Sequence, residues 1–211
     1  DMLSEEQKCL VDSMLKEVKI CDPAIGSGAF PMGLLKELFN CRTSLEGFDK
    51  EHASEIKKHI IQQNVYGVDI EKGAVDIARL RFWLSLIVDE DTPHALPNMD
   101  FKIMQGNSLL ESYEKVDLSG VAEEKQRIKK KEMGQGKLEF EEADIRRNIQ
   151  LFIKQFYNVT DHAQKEELRS YINSSVRSYI THCTSGNVAV AEKVAKLPIP
   201  NSNFFLWHTY Y

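Results

Sequence analysis

Asp22 stands four residues before Gly26 and six before Gly28, Asp69 closes the run Asn64–Asp69, and Asn107 follows Gly106. Glycines let the backbone turn sharply and approach a ligand closely, and a helix opening there offers N–H groups with no partner inside the helix. A carboxylate just before such a turn sits badly against a pyrophosphate but suits a ligand carrying an ammonium or sulfonium cation. Asp69 has the chemistry to accept hydrogen bonds from both hydroxyls of a ribose, and Asn107 to read an adenine edge through its amide. Each feature has a plainer use. A lone G-x-G is more often a tight turn, Asp69 would serve as N-cap of a helix starting at Glu71, and an Asn in a loop is commonly a turn residue. A dinucleotide is disfavoured, because its fingerprint needs a third glycine where Pro31 stands and an acidic residue about 20 positions on, well short of Asp69.

The elements around these residues explain why they are read together. Ser4-x-x-Gln7 before Leu10, Val11, Met14 and Leu15 predicts a capped amphipathic helix. Val18–Cys21 is a short buried-strand candidate, and Met32, Leu34, Leu35, Leu38 and Phe39 then recur at helical spacing, so the glycines lie at a strand-to-helix turn. A second helix is expected over 51–63, a strand over 64–69, an apolar helix over 74–88 and a third strand over 101–104. This β-α-β-α-β order predicts a Rossmann-like, doubly wound parallel sheet, which binds ligands at the carboxyl ends of its strands. Asp22, Asp69 and Asn107 all fall there.

Four segments follow from the composition: an α/β part over 1–115, a charged mobile connection over 116–142, a helical hairpin insertion over 143–182, and a return segment over 183–211 leading to the next strand. In the hairpin, Ile145, Ile149, Phe152 and Phe156 share one helical face, and Leu168, Tyr171, Ile172, Val176, Tyr179 and Ile180 share another. The last residues include Phe204, Phe205, Trp207, Tyr210 and Tyr211, aromatics that need something to pack against, so the chain is expected to continue in a longer protein.

Asp22-Pro23-Ala24-Ile25-Gly26-Ser27-Gly28-Ala29-Phe30 closely resembles the first motif, D-P-A-x-G-S-G-x-F, of S-adenosylmethionine-dependent DNA adenine methyltransferases. Tyr66-Gly67-Val68-Asp69-Ile70 with the helix after it resembles their second motif, and Gln105-Gly106-Asn107-Ser108-Leu109 their third. The likeness covers residues 17–112 and is nearest to the methyltransferase region of type IIG restriction-modification proteins. It implies that S-adenosylmethionine is bound by Asp22, Pro23, Ala24, Gly26, Ser27, Gly28, Phe30, Asp69, Ile70, Asn107 and Ser108. Asp22 and the glycine turn would hold the methionine end, Asp69 the ribose and Asn107 the adenine, with Phe30 and Ile70 as apolar neighbours. Many members of that family carry Asp where Asn107 stands. The family's N-P-P-Y tetrapeptide, which holds and stacks on a flipped-out adenine, does not occur in the 211 residues. No catalytic residue is therefore assigned, and the chain by itself is expected to be inactive.

Composition excludes several classes. A hydrophobic share of 42% with 28% charged residues is that of a globular chain, and no apolar run approaches the ~20 residues of a membrane span. The start lacks the features of a signal peptide, which predicts a cytoplasmic protein. Cys9, Cys21, Cys41 and Cys183 form no C-x-x-C pair and the histidines no H-E-x-x-H, so no metal site is predicted. A net charge of −5 is not the footprint of autonomous nucleic-acid binding, so DNA is expected to be met through other parts of the parent protein. The Lys125–Lys131 run is diluted by neighbouring glutamates and reads mainly as a solvated face. Two other readings stay open: a nucleotide-dependent oxidoreductase, and a non-catalytic module whose helices recruit a partner.

Overall fold

Ser4 opens the first helix reciprocally: its hydroxyl accepts the Gln7 amide while the Gln7 side chain accepts the Ser4 amide at 2.9 Å, starting α1 (Glu5–Glu17). The computed structural model describes residues 3–46, 50–88, 98–119, 140–159, 161–184 and 187–211. The charged connection expected over 116–142, with its Lys125–Lys131 run, lies outside the described residues over 120–139. Two units are distinguished, Asp1–Gln105 and Gly106–Tyr211.

In the first unit, β1 (Ile20–Asp22) leads through the glycine turn into α2 (Ala29–Glu46). Pro31 falls in the first turn of α2, where its missing N–H costs nothing. Then α3 (Lys50–His59) runs into a single π-turn over Ile60–Asn64, followed by β2 (Val65–Asp69), α4 (Lys72–Ile87) and β3 (Ile103–Gln105). The strands are parallel in the order β1-β2-β3, with Asp22 opposite Gly67 and Asp69 opposite Gln105. This is a mixed α/β arrangement compatible with the Rossmann-like class.

Sequence and structure differ at two strands. The first begins at Ile20, because Val18 caps α1 by donating its amide to the Met14 carbonyl. The third begins at Ile103, because Phe101 and Lys102 belong to a turn: Phe101 has a φ of 61°, and the Lys102 and Ile103 amides both bond to the Met99 carbonyl. Apolar alternation alone could not register that turn.

The core of this unit joins Leu35 and Leu38 of α2, Ile56 of α3, Ile60 and Ile61, Val75, Ala78, Phe82 and Leu86 of α4, and the strand residues Val65 and Ile103. Fully burying a side chain such as Phe82 contributes roughly 1.5–3 kcal/mol. A second row on α4, Ile77, Leu80, Leu84 and Ile87, is exposed. Asp12 of α1 and Arg42 of α2, both buried, pair at 2.8 Å.

In the second unit, β4 (Ser112–Tyr113) and β5 (Val116–Asp117) form a hairpin whose turn, Glu114 and Lys115, has positive φ at both residues. This is the turn sense that matches strand twist. Two long helices, α5 (Phe140–Asn158) and α6 (His162–Cys183), pack against one another, and Asp161 caps the second by accepting the Gln164 amide at 2.9 Å. Ile149, Ile153 and Phe156 of α5 and Ile172, Val176, Tyr179 and Ile180 of α6 are all buried. Phe152 instead stacks on Tyr171 at the margin, with ring centroids 6.1 Å apart. α7 (Val188–Ala195) and α8 (Trp207–Tyr210) complete the unit. Among the described residues, no helix is long and apolar enough to cross a membrane.

Candidate cofactor site

Parallel register brings the carboxyl ends of the strands to one edge of the first unit, and there the loop after β1 is tied to the end of β2. The Ile25 amide donates to the Val68 carbonyl at 3.0 Å, and the Gly26 amide donates to Asp69 Oδ2 at 2.7 Å. The other carboxylate oxygen of Asp69 accepts the Glu71 amide at 2.9 Å. Asp69 is thus the bracket of two turns. Glu71, not Asp69, is the N-cap of α4, its carboxylate facing the Gly73 amide. On the neighbouring strand, Asp22 Oδ1 accepts the amide of Ala24 at 3.0 Å, fixing the turn that contains Pro23.

Gly26 and Gly28 have φ of +53° and +83°, a left-handed backbone that side chains disfavour. The helix opens directly on that turn, with the Met32 amide bonded to the Gly28 carbonyl at 3.0 Å. The space beside the two differs. A Cβ on Gly26 would meet nothing within 4 Å, whereas one on Gly28 would lie 3.2 Å from the Ala78 Cβ. Gly28 therefore lets α2 approach α4, and Gly26 leaves an open cradle. Gly67 does a third job that its motif position did not reveal: a Cβ there would run into the end of the Ile25 side chain and lie 3.0 Å from the Ile25 Cβ, so glycine in mid-strand gives the loop room to fold over β2.

Phe30 and Ile70 are not core residues. They are 62% and 54% exposed, although each directly follows one of the two turns joined by Asp69. Asp22, Gly26, Ser27 and Asp69 are half-buried, and Pro23 and Ala24 exposed. A nucleoside with a cationic tail fits this donor set. An ionised carboxylate offers about four lone-pair sites, so Asp69 keeps acceptor capacity for hydroxyls after taking two amides. Asp22 supplies negative charge, the Gly26 cradle has room, and Phe30 and Ile70 give apolar surface.

Next to the site, Cys21 is exposed along its edge strand, and partial desolvation followed by the Asp22 charge pushes its thiol up to about 11. Lys102 is 2% exposed with its Nζ 4.1 Å from the centroid of the Tyr66 ring, and burial followed by the nearby Lys19 charge pulls its ammonium down to about 7. Nothing in the sequence marks Lys102 out; a lysine in an alternating stretch reads as solvent-facing.

Asn107 and Ser108 belong to the second unit. Asn107 Oδ1 accepts the Leu109 amide at 3.2 Å and its carbonyl accepts the Leu110 amide at 3.1 Å, so the residue nucleates a turn and its amide nitrogen is the group available for outward donation. The Ser108 carbonyl accepts the Trp207 indole N–H at 2.8 Å. The segment around Trp207, expected from sequence only to lead to the next strand, thus reaches back to the Asn107 loop.

A parallel α/β unit with a glycine turn after its first strand and a carboxylate closing its second is compatible with the Rossmann-like class, whose open sheets bind ligands at the strand ends. Residues 4–178 match the family model described as the MmeI DNA-methyltransferase domain, and the chain belongs to that family. A stretch of 104 residues is 39% identical to a Methanocaldococcus jannaschii protein named as a type II restriction enzyme and methyltransferase, covering 46% of this chain and 9% of that protein. No solved structure matches. The family match sets aside the oxidoreductase reading, and it takes in α5 and most of α6, so the helical hairpin lies within the methyltransferase family's own domain.

Proposed function

We propose that this chain is the cofactor-binding part of an adenine-specific DNA methyltransferase in a restriction-modification protein, and that it binds S-adenosylmethionine at the carboxyl ends of its parallel strands. The observation that carries this reading is the bond between the Gly26 amide and Asp69 Oδ2, which holds an open glycine cradle beside a carboxylate with spare acceptor sites. When bound, the cofactor supplies an electrophilic methyl group on a sulfonium.

The chain's own residues bind and orient. Asp22 counters the cationic end of the ligand, with Pro23 and Ala24 shaping its turn, and the backbone of Gly26, Ser27 and Gly28 approaches the methionine portion. Asp69 accepts from the ribose, Phe30 and Ile70 exclude water alongside, and Asn107 and Ser108 take the adenine end. Positioning of this kind accounts for much of the rate in group transfer. DNA is the partner of the larger protein, in the cytoplasm, and its phosphates are met mainly outside this acidic chain of net charge −5.

Calorimetry with S-adenosylmethionine, S-adenosylhomocysteine and NAD tests the reading. The first two should bind in the micromolar to submillimolar range and NAD should not. Binding of NAD alone, or of none of the three by folded protein, overturns it.

A further inference from the structure

The loop that begins at Asn107 is clamped by a segment nearly a hundred residues later. The Phe205 amide donates to the Leu110 carbonyl at 2.9 Å, the Trp207 indole N–H to the Ser108 carbonyl at 2.8 Å, and the His208 amide to Glu111 Oε1 at 3.1 Å. His208 Nδ1 lies 3.0 Å from Glu111 Oε2; a carboxylate only accepts, so Nδ1 carries the proton of this bond. At the start of the loop, a Cβ on Gly106 would lie 2.5 Å from Phe205 Cδ2. The Phe205 ring, 2% exposed, occupies the place a side chain at 106 would need, and it is itself packed by Trp207 at 4.8 Å and Tyr210 at 5.5 Å between ring centroids. Loop backbone at Ser108 and Leu110 and the carboxylate of Glu111 are thereby held from outside, while none of these bonds uses the Asn107 side chain.

We propose that Trp207 and the His208–Glu111 pair are positioning residues, which set how the Asn107 amide meets the adenine edge and so set the preference for an adenine-bearing cofactor. This rests on the assignment of Asn107 to adenine. A turn held only by its own Asx bond samples several orientations. One pinned at three further points presents a single one, and the discrimination between two base edges depends on that orientation.

The test compares S-adenosylhomocysteine with S-inosylhomocysteine, which differs at the group that Asn107 would read, by calorimetry on the full chain. Asn107→Ala should flatten the preference between the two. Trp207→Phe keeps an aromatic ring but removes the indole donor, and Glu111→Gln weakens the His208 contact; each should lower the preference roughly three- to tenfold, the size of one lost hydrogen bond. His208→Asn, which keeps a donor near the Nδ1 position, should retain more of the preference than His208→Ala. Melting curves identify any variant that fails to fold, and Glu111→Gln and His208→Asn keep the test open if Trp207→Phe does. If Asn107→Ala leaves the preference unchanged, the adenine assignment fails and the inference with it. If Asn107→Ala flattens it while folded Trp207→Phe and Glu111→Gln keep the native ratio, or lose both ligands equally, the assignment stands and the positioning role is overturned.

Discussion

The carboxylate of Asp69 and the amide of Gly26, 43 positions apart in the chain, meet at 2.7 Å, so the residue expected to hold a ribose also holds the glycine turn in place. Substitution at Asp69 must therefore act on both. Asp69→Ala should weaken S-adenosylmethionine binding by ~1–3 kcal/mol through the lost charge-assisted acceptors. Asp69→Asn should be nearly as damaging, because an amide has a single acceptor oxygen for the Gly26 and Glu71 amides and must turn its NH2 toward one of them. Calorimetry on variants that still melt cooperatively checks this, and native affinity in Asp69→Asn would contradict the shared role.

The three glycines of the site should separate binding from stability. Gly67→Ala drives a Cβ against Ile25 and should cost about 1–3 kcal/mol of stability, as overpacking does. Gly28→Ala combines a left-handed backbone with the Ala78 contact and should cost a similar amount. Gly26→Ala has the backbone cost of ~1–2 kcal/mol without a clash, yet its methyl enters the open cradle, so it should lose proportionally more affinity than stability. Denaturant titration beside calorimetry distinguishes the three.

Lys102 makes stability depend on pH in a defined direction. Its folded value of about 7 lies below the ~10.4 of an exposed lysine, so between these limits the unfolded chain binds more protons. Stability from this group then rises with pH, by up to about 1.4 kcal/mol per unit, starting near pH 7. The window from pH 7 to about 8.5 is the clean one, since Cys21, raised to about 11, has the opposite slope once an unfolded thiol ionises. Lys102→Met should flatten the rise in melting temperature across that window. An unchanged slope in the variant would show that Lys102 is not its source.

The Asp12–Arg42 pair should behave as a buried ion pair rather than a surface one. Asp12 is 5% and Arg42 2% exposed, with His59 Nδ1 3.4 Å from Arg42 and Lys16 on the other side of Asp12. Removing Arg42 leaves the buried Asp12 carboxylate with Lys16 alone, so Arg42→Ala should destabilise by less than the roughly 3–5 kcal/mol of a wholly uncompensated buried charge. The double variant Asp12→Leu with Arg42→Met should recover part of that loss in thermal or denaturant melts, and no recovery would argue that the lost contacts are packing instead.

The sequence by itself determined the helices and the strand order of the first unit and its glycine turn, because these follow from local chemistry. Ser4 and Gln7 write a cap, the Gly26–Gly28 turn needs left-handed backbone wherever it occurs, and apolar spacing after it admits only a helix. The motif residues Asp22 and Asp69 were legible as strand-end carboxylates for the same reason. Tertiary structure alone decided what those residues touch. Parallel register puts Asp69 on Gly26, removes the room for a side chain at Gly67, and leaves Phe30 and Ile70 exposed although their types suit a core equally well. It also buries Lys102 against Tyr66 and brings Trp207 and His208 to the Asn107 loop. Contacts across 36 to 99 positions depend on how strands and helices close on one another, and no pattern within a helical turn or a strand period encodes that closure.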